Sequence, residues 1–172
     1  MNALIPGSFD PITLGHVDIV ERASKIFDKV YIAVMNNDSS KHDSRLSSKN
    51  YLFDMSQRMK IAQLSLAHIN NVEIISSSGM LIDLCDELNT HIIVKGIRNG
   101  ADLEYEMIHA SWNKEHNDKV ETLFLPCHEK LASVSSTVVR EHIKKQDYEV
   151  LRRYISSDAV EYIRSLDIGG EI

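Results

Sequence analysis

The sequence predicts one α/β domain built as a doubly wound sheet of five parallel strands, with helices on both faces and further short helices at the C-terminal end. Short apolar runs alternate with stretches of helical periodicity along all 172 residues. The stretches between the runs are long enough for crossover helices, the connection that parallel strands require. That length also suits a single core, so residues 1–172 are expected to form one domain.

Taken in order, the first strand is expected at residues 3–5, and its exit is Gly7-Ser8-Phe9-Asp10-Pro11-Ile12-Thr13-Leu14-Gly15-His16. A helical stripe of Ile19, Val20, Ala23, Ile26 and Phe27 follows, then a strand at 30–35. Residues 36–50 are polar and serine-rich with no apolar period, which predicts a long loop. Met55, Met59, Ala62 and Leu66 make a second stripe before a strand at 72–75, and Leu81, Leu84, Cys85 and Leu88 a third before a strand at 92–94. A helix at 101–116 is expected to turn Leu103, Met107, Ala110 and Ser111 inward, ahead of the last strand at 122–125. Residues 138–144, 148–154 and 159–166 read as the closing helices.

Composition excludes several functions. The formal net charge of −6 argues against broad binding to nucleic acid or an anionic membrane. No apolar run approaches the roughly 18 residues that span a bilayer. The N-terminus has no basic region leading into an apolar one, so the expected location is the cytoplasm. Cys85 and Cys127 are far apart and form no CxxC spacing, which predicts buried, reduced thiols. His109 and His116 lack any accompanying metal-ligand pattern and read as a half-solvated helix flank.

In a doubly wound sheet, ligands sit beyond the carboxyl ends of the strands where strand order reverses. Three exits are therefore candidates. The first, after residues 3–5, has neither GxGxxG nor GxxxxGK[ST]. It offers Gly7 for close backbone approach, the Ser8 hydroxyl, Thr13 as a helix cap, and His16 in the first helical turn, where free N–H groups favour an anion. Read alone, a histidine at this position is ordinarily a capping or packing residue; the neighbouring glycines and hydroxyls are what favour the ligand reading. After the fourth strand, Arg98 brings a planar fork suited to phosphate oxygens, and Glu106 is either an acceptor for a ribose or adenine donor or a plain surface carboxylate. After the fifth, Ser135, Ser136 and Thr137 cap a helix whose amides and hydroxyls suit an anion.

Thr13-Leu14-Gly15-His16 resembles the TxGH form of the HxGH signature of the nucleotidylyltransferase superfamily, and residues 7–16 as a whole resemble the opening of the bacterial phosphopantetheine adenylyltransferase family. The resemblance continues through Lys95-Gly96-Ile97-Arg98, Ala101-Asp102-Leu103-Glu104-Tyr105-Glu106-Met107, Asn113, and Val134-Ser135-Ser136-Thr137-Val138-Val139-Arg140-Glu141, which is similar to the superfamily's SSTxxR helix start. Lys95 stands where the family more often has arginine, keeping the charge without the bidentate fork. Residues 36–50 resemble the family's short Ser-Lys-Lys segment with about nine extra residues. Lys41 best matches its phosphate-binding lysine, with Lys49 as the alternative.

The resemblance implies a Rossmann-like fold and adenylyl transfer from ATP to 4'-phosphopantetheine, giving dephospho-coenzyme A and pyrophosphate, as a step of coenzyme A biosynthesis. It implies that Ser8 and Lys41 orient the attacking phosphate, that His16 and Arg98 meet the ATP phosphates, and that Leu81 and Lys95 receive the pantetheine arm and its phosphate. It further implies an ATP site of Ser8, Phe9, His16, Gly96, Ile97, Arg98, Glu106, Leu131, Ala132, Ser133, Val134, Ser135, Ser136 and Thr137, with His16 stabilising the transition state. Mg²⁺ is expected to accompany ATP on nucleotide oxygens and water, with no metal ligand from the protein. A homohexamer is implied as well. The alternatives are a sister enzyme acting on nicotinate mononucleotide or a polyol phosphate, and a non-catalytic nucleotide-binding module.

Overall fold

A computed structural model describes residues 1–36, 50–166 and 168. Five strands, β1 (Asn2–Gly7), β2 (Lys29–Met35), β3 (Val72–Ser77), β4 (Ile92–Ile97) and β5 (Glu121–Pro126), form one all-parallel sheet in the order β3-β2-β1-β4-β5. The order reverses between β1 and β4, which pair at Leu4↔Ile93. This α/β architecture is the one the alternating pattern predicts.

Each strand runs further than its apolar core. β4 continues through Lys95, Gly96 and Ile97 because β5 keeps pairing with it as far as Ile97↔Pro126. The side chains that looked like an exit are thus partly on rigid ladder. β1 is buried along Ala3–Pro6, as a central strand covered on both faces must be.

The helices α1 (Leu14–Ser24), α2 (Met55–Leu66), α5 (Ser136–Lys144), α6 (Tyr148–Leu151) and α7 (Ser157–Ser165) supply one core. There Ala3, Ile5, Ile32 and Val94 of the sheet meet Ile19, Val20, Ile61, Val139 and Ile163. On the other face, Leu4, Ala33, Met35 and Ile93 meet Leu84 and Cys85 of α3 (Leu81–Glu87), and α4 (Gly100–His116) packs on β4 and β5. Burial pushes the Cys85 thiol up to about 11, so it behaves as a core apolar group. No helix among the described residues is long and apolar enough to cross a membrane.

Two expectations about helix faces fail. Ile26 is 61% exposed, because α1 ends at Ser24 and the chain turns before the period reaches it. On α4, Leu103, Met107 and Ser111 are exposed and Ala110 is only half-buried. The inward face instead carries Asp102, Glu106 and Asn113. On this face Glu106 and Asp102 pair with Lys95 and Arg98 at the end of β4. His109 and His116 lie outward, against Tyr105 at 4.5 Å and Trp112 at 4.0 Å between ring centroids.

Candidate active site

The end of β1 is shaped by contacts that fix its path. Phe9 takes a positive φ of 44° and folds its ring over Gly7, where any Cβ would stand 2.9 Å from the ring. Asp10 is buried and accepts the N–H groups of Leu52 and Phe53, each at 3.0 Å, while its carbonyl accepts from Arg140 Nη1 at 2.7 Å. Buried Arg58 donates from Nη1 to the carbonyls of Ser8 at 2.8 Å and Met35 at 3.2 Å, pinning the ends of β1 and β2 together. Its guanidinium also lies 4.2 Å from the Tyr51 ring centroid.

α1 then begins with Thr13 as its cap and His16 in its first turn. His16 Nδ1 accepts the Thr13 backbone N–H at 3.0 Å and lies 2.9 Å from the Thr13 hydroxyl. An accepting Nδ1 places the imidazole proton on Nε2. Burial, and then the charge of Arg98, lowers the His16 pKa from 6.5 to about 4, so at neutral pH the ring is an uncharged N–H donor. Capping and ligand contact are therefore not competing readings of this residue, since each uses a different ring nitrogen.

β4 and α4 supply opposed charges. Lys95 Nζ lies 3.1 Å from Glu106 Oε2. Arg98 donates from Nε to Asp102 Oδ2 at 2.7 Å and from Nη2 to Oδ1 at 3.0 Å. Its backbone N–H donates to Asp102 Oδ2 at 3.2 Å. These bonds hold the Asp102 carboxyl below the usual carboxylate range, against a smaller opposing effect of burial. Asn99 caps α4 by accepting from the Asp102 N–H at 2.9 Å.

Beyond β5, the Cys127 N–H donates to the Ile97 carbonyl at 2.8 Å, and a 3₁₀ turn at Glu129–Leu131 leads to α5. That helix opens at Ser136, earlier than Val138, with Ser135 Oγ accepting from the Val138 N–H at 3.3 Å. Ser136 Oγ donates to the Pro11 carbonyl at 2.8 Å, and Arg140 Nη2 donates to Thr137 Oγ1 at 3.1 Å. These contacts join the α5 start to the end of β1.

The three strand ends converge on one cleft of about 440 Å³, within the range of small-molecule sites. Ser8, Phe9, His16, Lys95, Gly96, Arg98, Glu106, Leu131, Val134, Ser135, Ser136 and Thr137 line it. Ile97, Ala132 and Ser133 are not on its wall, and Leu81 sits half-buried against the α3-side core. Lys41 and Lys49 lie outside the described residues.

Asp102, Tyr105, Cys127 and Arg140 also line the cleft, without having been read as site residues. Cys127, expected to be buried, is only partly so because it faces this opening. For Arg58 a signal existed. It is placed at helical spacing from Ile61, Ala62 and Ser65, all buried, and a cation on an inward stripe needs acceptors to receive it.

A family model described as cytidylyltransferase-like matches residues 4–142. The chain is 40% identical to a phosphopantetheine adenylyltransferase of Staphylococcus haemolyticus and 42% identical to one of Staphylococcus carnosus, in each case over 81% of both chains. Its fold is similar to that of nicotinic acid mononucleotide adenylyltransferase from Plasmodium falciparum, with a TM-score of 0.71 at 14% identity over 99% of this chain and 98% of the other. The order of these strands, the cleft at their reversal point and the similarity over four-fifths of the chain agree: it belongs to the cytidylyltransferase-like family, among the phosphopantetheine adenylyltransferases, and is a nucleotidyltransferase.

Proposed function

We propose that the protein transfers the adenylyl group of ATP to 4'-phosphopantetheine, forming dephospho-coenzyme A and releasing pyrophosphate. The observation that carries this reading is the neutral, Nε2-protonated His16 beside Arg98 in a cleft that also receives the first turn of α5. An oxygen of the substrate phosphate attacks the α-phosphorus, and the bond from that phosphorus to the bridging oxygen of the β-phosphate breaks. A phosphate monoester is already a nucleophile at neutral pH, so the cleft need supply only alignment and charge stabilisation.

In this reading His16 donates from Nε2 to phosphoryl oxygens, Arg98 adds a fixed cation, and the α5 start holds the leaving pyrophosphate through its free amides. Ser8 and Lys41 orient the attacking phosphate. Lys95 meets that phosphate as a point charge, and Leu81 meets the pantetheine arm. The nucleotide rests against the wall residues Phe9, Gly96, Glu106, Leu131, Val134 and Ser135 to Thr137, with Ile97, Ala132 and Ser133 flanking them in sequence behind the wall. Mg²⁺ arriving with ATP supplies further charge neutralisation. It would be held on nucleotide oxygens and water; among the described residues of the cleft, Asp102 and Glu106 are engaged by Arg98 and Lys95. The location proposed is the cytoplasm, and the assembly a homohexamer.

Pyrophosphate release from ATP is the direct test, with 4'-phosphopantetheine compared against nicotinate mononucleotide and, with CTP, a polyol phosphate. Turnover with 4'-phosphopantetheine and at most trace activity with the others is expected. Faster turnover with either competitor would reassign the acceptor, and tight ATP binding with no turnover on any of them would leave a binding module.

A further inference from the structure

We infer that Asp102 is a positioning residue for nucleotide binding, acting through Arg98 by fixing which edge of its guanidinium faces the cleft. Arg98 lies immediately past the end of β4, where no ladder holds its backbone. An arginine side chain there has several rotatable bonds and would sample many orientations. In this fold it does not swing free: Nε and Nη2 dock on the two carboxylate oxygens of Asp102 at 2.7 and 3.0 Å, and one of those oxygens also accepts the Arg98 backbone N–H at 3.2 Å. The three contacts fix side chain and backbone together. The edge bearing Nη1, with the remaining Nη2 proton, is left to meet an anion in the cleft that both residues line.

The anchor is itself held. Asp102 is three-quarters buried at its side chain, lies in the first turn of α4 where a negative charge is favoured, and has its backbone N–H capped by Asn99. The carboxylate also sets the net charge presented to the nucleotide. Without it, Arg98 would be a mobile cation; with it, the guanidinium is an oriented donor of reduced net charge. A fixed donor aimed at a phosphate loses less entropy on binding than a flexible one.

The inference rests on the assignment of the cleft to ATP, and its test is arranged so that the two can fail separately. Arg98→Ala, Asp102→Asn and the double variant are compared with the parent for ATP affinity by calorimetry and for pyrophosphate release. Asp102→Asn keeps the size of the side chain, and circular dichroism with thermal melting checks that each protein is folded.

Misplaced first contacts typically cost about 10- to 100-fold, so Asp102→Asn should weaken ATP binding and lower kcat/KM for ATP by about tenfold or more, with KM for 4'-phosphopantetheine changed less than about threefold. In the Arg98→Ala background the same substitution should do nothing further, because its target is gone. Asp102→Glu, which retains a carboxylate, should recover part of the loss. Losses that multiply in the double variant, or an Asp102→Asn protein with parental ATP affinity, would overturn the inference. If the parent binds ATP but does not turn over 4'-phosphopantetheine, the acceptor assignment fails, while the calorimetric cycle still decides the role of Asp102.

Discussion

His16 concentrates the chemistry of the cleft in one ring. Its Nδ1 completes the start of α1 and its Nε2 is left as a neutral donor. Loss of one preorganised donor typically costs about 10²- to 10³-fold in kcat. His16→Ala should therefore stay folded, bind ATP within about tenfold of the parent, and turn over at least about a hundredfold more slowly; a folded variant with near-parental kcat would return His16 to capping alone. The lowered pKa makes a second prediction. The folded-state value of about 4 is below the ordinary 6.5, so the unfolded chain binds more protons between these values. The stability contributed by the neutral ring is complete above the upper value and is lost progressively as pH falls from there to the lower one. Urea unfolding from about pH 7 to about pH 4.5 should thus destabilise the parent more than His16→Gln, and equal slopes would contradict a neutral ring in the folded protein.

At the scale of elements, the approach of α1 to β4 decides where His16 stands. Gly96 lets Ile19 of α1 lie against the strand, and a Cβ there would be 2.8 Å from Ile19 Cγ1. Gly96→Ala should force α1 outward, destabilise by about 1–3 kcal/mol as overpacking does, and slow turnover by shifting His16. Adding Ile19→Ala should give a double variant less destabilised in urea than the sum of the two single changes, since Ile19→Ala takes away the atoms that the new Cβ at position 96 would strike. Strict additivity would mean that the two positions do not compete for space. The α4 element makes a different lesson visible. Its apolar residues suggested an inner face, yet the face that turns inward carries Asp102 and Glu106, which pair with Arg98 and Lys95 at the end of β4.

Across the whole molecule, that inversion leaves Leu103 (36%), Tyr105 (59%), Met107 (52%), Ile108 (66%) and Trp112 (40%) exposed on one helix, with Leu123 (45%) on the neighbouring edge strand. A cluster of exposed large apolar side chains on a small domain marks a contact surface, and the proposed homohexamer gives it an occupant. Ile108→Glu and Trp112→Glu should each shift the protein to a smaller assembly by light scattering while leaving its circular dichroism unchanged. An unchanged mass would move the subunit contact elsewhere.

By itself the sequence determined the five strands, their helical crossovers, and the residues of the three strand ends, because apolar period, Gly and Pro punctuation and capping chemistry are local and legible along one chain. It also carried the resemblance on which Lys95, Arg98 and Glu106 were singled out. Only the tertiary structure decided their pairing: Lys95 with Glu106, Arg98 with Asp102, Arg58 with the carbonyls of Ser8 and Met35, and Asp10 with the N–H groups of Leu52 and Phe53. The contacts of Arg58 and Asp10 join residues 23 to 50 positions apart, so no local pattern records them. The inward face of α4 was hidden for a related reason: which face of a helix turns inward depends on the partners its fold supplies, here Lys95 and Arg98 of the neighbouring strand end, and the apolar stripe along the helix does not record them.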